Sequence, residues 1–210
     1  MQNKNRHMKR KLFLSLLAII LICIYWFFIR NKPHQDATKE QSISLQKHSE
    51  AFNKNINTVV EDYLTLKDAF VEADTIAIKN KAKILISSLN NIDTAELKKD
   101  TTALYETIMT SIMDVRSNAE SILNQTDITE MRRDFSSLTE MMFPSFFNAI
   151  KYEGPTLYLQ NCPMAFNDSE PANWISKSKE IINPYMGKKH PKYHSGMINC
   201  GEIKDTIKAK

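Results

Sequence analysis

Residues 51–70 read AFNKNINTVVEDYLTLKDAF, and within them Phe52, Ile56, Val59, Tyr63, Leu66 and Phe70 recur at steps of four, three, four, three and four. A helix of 3.6 residues per turn gathers such positions on one side. The stripe therefore predicts an amphipathic helix with one buried face. Three more segments repeat the pattern. Ile78, Ala82, Leu85 and Leu89 follow Asp74, whose carboxylate can cap a helix start, and Asn90-Asn91 ends that run. Asp93-Thr94-Ala95-Glu96 has the form of a capping box and is expected to open a third helix through Leu97, Leu104, Ile108, Ile112, Val115, Ala119 and Ile122. Asp127-Ile128-Thr129-Glu130 repeats the box before Met131, Phe135, Leu138, Met142 and Phe146, with Pro144 expected to kink that last helix.

Short links between helices of similar length imply antiparallel neighbours. The expected fold is mainly α: an antiparallel four-helix bundle with a small C-terminal β-hairpin or loop subdomain, preceded by one transmembrane helix. Each helix buries five or six large side chains, worth about 1.5–3 kcal/mol apiece, so the bundle can support its own core. The Met and aromatic residues of the four stripes are core packing. No helix pairs Glu and His at the i, i+3 spacing of a di-iron bundle.

Outward from the bundle, the ends differ in charge from the middle. Residues 1–32 carry seven Lys/Arg and no acid, residues 33–175 thirteen against twenty-one acids, and residues 176–210 eight Lys against three acids. The basic flank, residues 1–11, precedes an apolar run from Leu12 to Ile29, interrupted only by the Ser15 hydroxyl. Eighteen helical residues cover roughly 27 Å, close to the hydrocarbon thickness of a bilayer. Tyr25 and Trp26 fall where an interfacial belt would lie, and the Lys/Arg bias keeps the N-terminus cytoplasmic. Residues 12–29 are read as an anchor, 30–46 as a polar linker containing Pro33, and 47–210 as the exported domain. The expected location is the inner membrane, single-pass, with the main domain in the periplasm. A cleaved signal peptide would need a small-x-small site that Tyr25-Trp26-Phe27-Phe28-Ile29 lacks. An acylated Cys23 would need small residues where Leu21-Ile22 stand. Nucleic acid is not an expected partner, because the basic tail lacks interleaved Arg and stacking aromatics.

The segment from Lys151 to the end carries the candidate chemistry. It holds Cys162, Met164, Met197 and Cys200, with Met186, His190, His194 and Trp174 as further candidates. Thiolate, thioether and imidazole donors select copper(I) or zinc over hard cations. Copper(I) is the first choice for Cys162, Met164, Met197 and Cys200, with Trp174 either lying over the ion as a cation–π contact or, as is commoner for a Trp, simply packing. Zinc comes second, because no C-x₂-C knuckle accompanies the histidines and Pro191 breaks any helix that would align them. A disulfide between Cys162 and Cys200 is the competing use of the same sulfurs in an exported domain. Thr156–Gln160 alternates like a short strand, and Met197–Cys200 running into Gly201-Glu202-Ile203 offers a partner that would bring the two cysteines together. Asn183-Pro184-Tyr185 with Gly187 reads as a turn. The chain has no phosphate-binding Gly-rich loop, G-x-S-x-G elbow, H-E-x-x-H or C-x-x-C motif, so no enzyme class is indicated.

Cys162-Pro163-Met164-Ala165, Ala172-Asn173-Trp174-Ile175-Ser176, Glu180 through Gly187, and Met197 through Glu202 resemble the signature of domain-of-unknown-function family 3347, and Tyr63–Phe70 extends the likeness upstream. The resemblance runs from about residue 50 to the end. It implies a bacterial envelope domain linked to copper or other soft metals, similar to one fused to periplasmic adaptors of heavy-metal efflux pumps. An efflux adaptor or a metallochaperone is then the expected partner. The Gly187–Met197 segment is longer here than in shorter members, so the resemblance supports His190 and His194 less than the cysteines.

Overall fold

Three short acceptors decide where the helices begin. In the computed structural model, which describes residues 48–99 and 101–208, Ser49 Oγ accepts from the Phe52 amide and starts α1 (Glu50–Glu72). Asp74 accepts from the amides of Ile76 and Ala77 and starts α2 (Thr75–Asn90). Asp127 accepts from Thr129 and Glu130 and starts α4 (Ile128–Glu140). These bonds satisfy amides that a helix leaves unpaired at its first turn. The expected stripes are buried on all four helices.

The third helix begins later than expected. Asp93 accepts from the Ala95 amide, but Glu96 does not turn back to complete a box. Its Oε1 lies 3.1 Å from His48 Nδ1 and 3.2 Å from the Ser49 amide. With Glu96 held by the start of α1, Glu96–Lys99 forms only a 3₁₀ turn, and Thr101 caps α3 (Thr102–Asn124) instead. The kink at Pro144 is present. The chain after α4 runs as a π-helical stretch, Met141–Phe146, with Phe143 extended at φ −124° and ψ 128° immediately before the proline. A last helical turn, Phe147–Ala149, closes the helical region.

The C-terminal part is a three-stranded antiparallel sheet rather than a hairpin. Its strands are β1 (Leu157–Phe166), β2 (Glu170–Ser176) and β3 (Glu202–Ile207), in the order β2-β1-β3. β2 escaped the sequence pattern because Glu170-Pro171-Ala172-Asn173 neither alternates nor is rich in β-branched residues, and an edge strand tolerates its proline. The partner strand starts at Glu202, since Met197–Cys200 is a turn closed by the Cys200 amide on the Met197 carbonyl at 3.0 Å.

Aromatics and a hydroxyl join sheet and helices, alongside polar contacts of Arg133 with Glu170 and of Asn173 with Glu140. Phe135 on α4 stacks on Tyr63 of α1 at 5.3 Å and meets Tyr185 at 6.0 Å, and Tyr185 in turn meets Phe166 and Trp174 of the sheet. The Tyr63 hydroxyl lies 2.7 Å from Thr139 Oγ1 and accepts from the Ile175 amide of β2 at 3.1 Å. It thus covers a donor on the open edge of the sheet. The described chain is mainly helical with a small antiparallel sheet. Among the described residues no helix is long and apolar enough to cross a membrane. The basic flank, the span at 12–29 and the linker at 30–46 lie outside the described residues.

Replacing Tyr63 by Phe removes the hydroxyl but keeps the ring. The buried Ile175 amide then loses its acceptor, a cost of about 1–3 kcal/mol. Urea unfolding should show a lower midpoint at unchanged slope, and an unchanged midpoint would mean the bond does not hold the sheet to the helices.

Candidate metal centre

The register of the sheet builds the site. Asn161 pairs with Glu202 at the end of the β1–β3 ladder, so the next residue on β1 and the turn before β3 meet there. Cys162 Sγ and Cys200 Sγ are 3.7 Å apart, both as free thiols. On the other side of β1, Gln160 pairs with Trp174 and Cys162 with Ala172. Those four residues share one face, because side chains two apart on a strand point the same way. Cys162 and Trp174 are fully buried, whereas Cys200 is half-buried.

The segment after β2 folds back onto this face and is held by side-chain amides. Gln160 Nε2 donates to the Ser178 and Glu180 carbonyls at 2.9 and 3.1 Å. Buried Asn183 donates from Nδ2 to the Cys200 carbonyl at 2.7 Å, and its Oδ1 accepts from the amides of Tyr185 and Met186. Its own amide donates to the Ile198 carbonyl at 2.8 Å. Asn183 therefore ties the turn that carries Cys200 to the turn that carries Met186. Gly201 completes the close approach. It sits at φ +145°, and a Cβ there would fall 2.6 Å from the Asn161 carbonyl oxygen and 2.9 Å from the Trp174 ring. Gln160 Oε1 and Trp174 Nε1, on paired residues, are both buried without a hydrogen-bond partner.

The remaining candidates fall in different places. Met197 is half-buried at the opposite end of the turn from Cys200, and Met164 is half-buried on β1 beyond a register irregularity that follows Cys162. Both pack against the core. Met186 is 1% exposed, within the core, with its amide held by Asn183. His190 and His194 form an isolated β-bridge, closed by the His194 amide on the His190 carbonyl at 2.8 Å. His190 Nδ1 accepts from the amides of Lys192 and Tyr193, so that lone pair is already used within the turn. Burial and the nearby Arg132 push the His190 ring toward its neutral form. Among the described residues no three of His, Cys, Asp and Glu gather where they could hold a metal ion.

The electrostatics favour the Cys200 thiol over its thiolate. Burial, and then the contact with Cys162, push the Cys200 thiol up to about 11. Sequence reasoning read Asn183 only as part of a turn and did not single out Gln160. The signal available was their position: an uncharged amide within a strand or beside a turn proline, among apolar neighbours.

The fold and site define a helical domain with a small antiparallel sheet bearing a sulfur pair. Residues 59–150 match the family described as Protein of unknown function (DUF3347). The match runs from within α1 through the rest of the helical region and ends before β1. No curated protein and no solved structure matches the chain.

Two measurements follow. With its proton held to about pH 11, Cys200 should be alkylated by iodoacetamide at a rate that rises about tenfold per pH unit from pH 7 to pH 10. A plateau below pH 9 would show an ordinary thiol. Asn183→Ala leaves the buried amides of Tyr185 and Met186 without their acceptor, which should cost about 2–4 kcal/mol in chemical unfolding and speed alkylation of Cys200.

Proposed function

We propose that this chain is a membrane-anchored envelope domain that holds copper(I), or another soft ion, at Cys162 and Cys200, with Met164 and Met197 as the further donors. It buffers the ion or hands it to an efflux adaptor or metallochaperone. It is a binding protein, not an enzyme. In this reading residues 12–29 span the inner membrane once, the N-terminus is cytoplasmic, and the four helices stand up-down-up-down as an antiparallel bundle in the periplasm.

The contact between Cys162 Sγ and Cys200 Sγ at 3.7 Å is the observation that carries this reading. Two thiolates on one tetrahedral ion with bonds of about 2.3 Å would stand about 3.8 Å apart. A structural zinc site wants four donors, usually Cys and His. Among the described residues, two sulfurs meet without a third His, Cys or carboxylate beside them, which favours an ion satisfied by few soft ligands. Thioethers need not lose a proton, so Met164 and Met197 can add donors without a further pH penalty. Because Cys200 must give up its proton to bind, affinity should rise with pH below about 11. The half-buried Cys200 and Met197 form the accessible side, where a partner's donors would enter.

The same contact favours a second reading, a helical interaction module stapled by a Cys162–Cys200 disulfide, as is usual for cysteine pairs in oxidising compartments. Titration of the reduced fragment 42–210 with copper(I) against a competing chelator tests the first reading. The Cys162→Ser, Cys200→Ser double variant should bind at least on the order of a hundredfold more weakly. Equal affinity of the two proteins removes the proposal. A thiol count on protein isolated without reductant separates the stapled module, which would have neither thiol free whatever the copper supply.

A further inference from the structure

We infer that Cys162 and Cys200 form an ordered thiol pair, in which Cys200 is the modification site for small disulfides such as glutathione disulfide and Cys162 resolves the adduct into an internal bond. The inference goes beyond the metal reading and stands whether or not the pair takes an ion.

The order comes from the fold. Cys162 is fully buried on the central strand, flanked by β2 on one side and by the start of β3 on the other. An external disulfide cannot reach its sulfur without opening the sheet. Cys200 is half-buried and stands outside the ladder, at the end of the Met197–Cys200 turn. Of the two cysteines it is the less buried, and so the one a solvent-borne reagent would reach first. Once Cys200 is modified, the second nucleophile already lies against it, since the two sulfurs are 3.7 Å apart. A disulfide bond is about 2.05 Å long, so closure needs an approach of under about 2 Å. Cys200 would make that approach, because it lies in the turn before β3 and outside the ladder that fixes Cys162.

The chemistry balances in two exchanges. Cys200 gives its proton to solvent and its sulfur attacks one sulfur of the glutathione disulfide. A Cys200–glutathione disulfide forms, the original sulfur–sulfur bond breaks, and one glutathione thiolate leaves and takes up a proton. Cys162 then gives up its proton and attacks Cys200 Sγ. The Cys162–Cys200 bond forms and the second glutathione leaves as its thiol. The protein loses two electrons and two protons, and one glutathione disulfide becomes two glutathione thiols.

The full chain, reduced, desalted and held in detergent, is treated with glutathione disulfide, quenched in acid at intervals and mapped with trypsin. Residues 12–30, 152–177 and 193–204 fall on separate peptides, which report Cys23, Cys162 and Cys200 individually. Wild-type protein should end with peptides 152–177 and 193–204 joined. Cys162→Ser should accumulate an adduct on 193–204, and Cys200→Ser should be modified on 152–177 at least tenfold more slowly. Equal rates in the two variants, a lasting adduct in the wild type without closure, or no reaction at either cysteine would overturn the inference. Circular dichroism checks that the variants fold. Should either fail to fold, early wild-type time points decide, since an adduct on 152–177 preceding one on 193–204 also overturns it.

Discussion

The backbone pairing of Asn161 with Glu202 is the constraint from which the site follows. It closes a long excursion of chain onto the central strand and leaves Cys200 with nowhere to lie except beside Cys162. β1 is buried on both faces over much of its length, with Leu157 and Leu159 on one and Gln160 and Cys162 on the other. A slip of one residue would exchange those faces. The Asn161 side chain adds a further check, donating to Asn173 Oδ1 at 2.8 Å and to the Ala172 carbonyl on the neighbouring strand. The sulfur contact is thus a product of register, not of any attraction between the thiols.

The segment that covers the site is anchored from the helical side as well. Arg132 of α4 is buried, and its Nε donates to the Pro184 carbonyl at 3.2 Å. One of its terminal nitrogens has no hydrogen-bond partner, and burial pushes the guanidinium down to about 10, so it remains charged at neutral pH. A buried cation normally needs an anion. Here Asp127 supplies the nearby negative charge, and the end of a helix adds to it. A Cβ built on Gly187 would touch both an Arg132 nitrogen and the carbonyls of Phe70 and Val71, which places the guanidinium near the negative end of α1. The Lys188 amide donates to the Val71 carbonyl at 2.8 Å. The turn after Asn183 is therefore clamped to two helices, while Asn183 itself reaches the cysteine turn.

The helices were legible because one physical signal, apolar residues at helical spacing, repeats through Phe52, Ile78, Ile108 and Phe135 and their neighbours, and each became a buried stripe. Starts at Asp74 and Asp127 were legible because the acceptors act on amides two or three residues away. Glu96 was misread because its partners, His48 and Ser49, are far away in sequence, and a local box pattern carries no information about a tertiary competitor. β2 was missed for a related reason. Its order derives from pairing with β1 and from the Tyr63 hydroxyl, neither of which leaves a period in residues 170–176. The meeting of Cys162 and Cys200 was legible through strand pairing. The roles of Gln160 and Asn183 were not, since a single buried amide has no spacing to read.

The two sulfurs differ in a way that bears on any chemistry they share. Cys162 belongs to the most constrained strand of the sheet and is sealed from solvent, while Cys200 belongs to a turn outside the ladder, held by Asn183 and by Asn199 Nδ2 on the Ile181 carbonyl. A reagent or a competing ligand therefore meets Cys200 first, and the pair can be engaged or released only from that side. Burial disfavours the charged Cys200 thiolate, so that sulfur rests as a thiol, and either an ion or a sulfur–sulfur bond must displace its proton. Both uses draw on the same two atoms. Oxidation would remove both thiolate donors at once, and an ion held between the sulfurs would occupy the nucleophile that opens exchange. The exposed turn would then set the rate of both processes, and the buried strand would set their common end point.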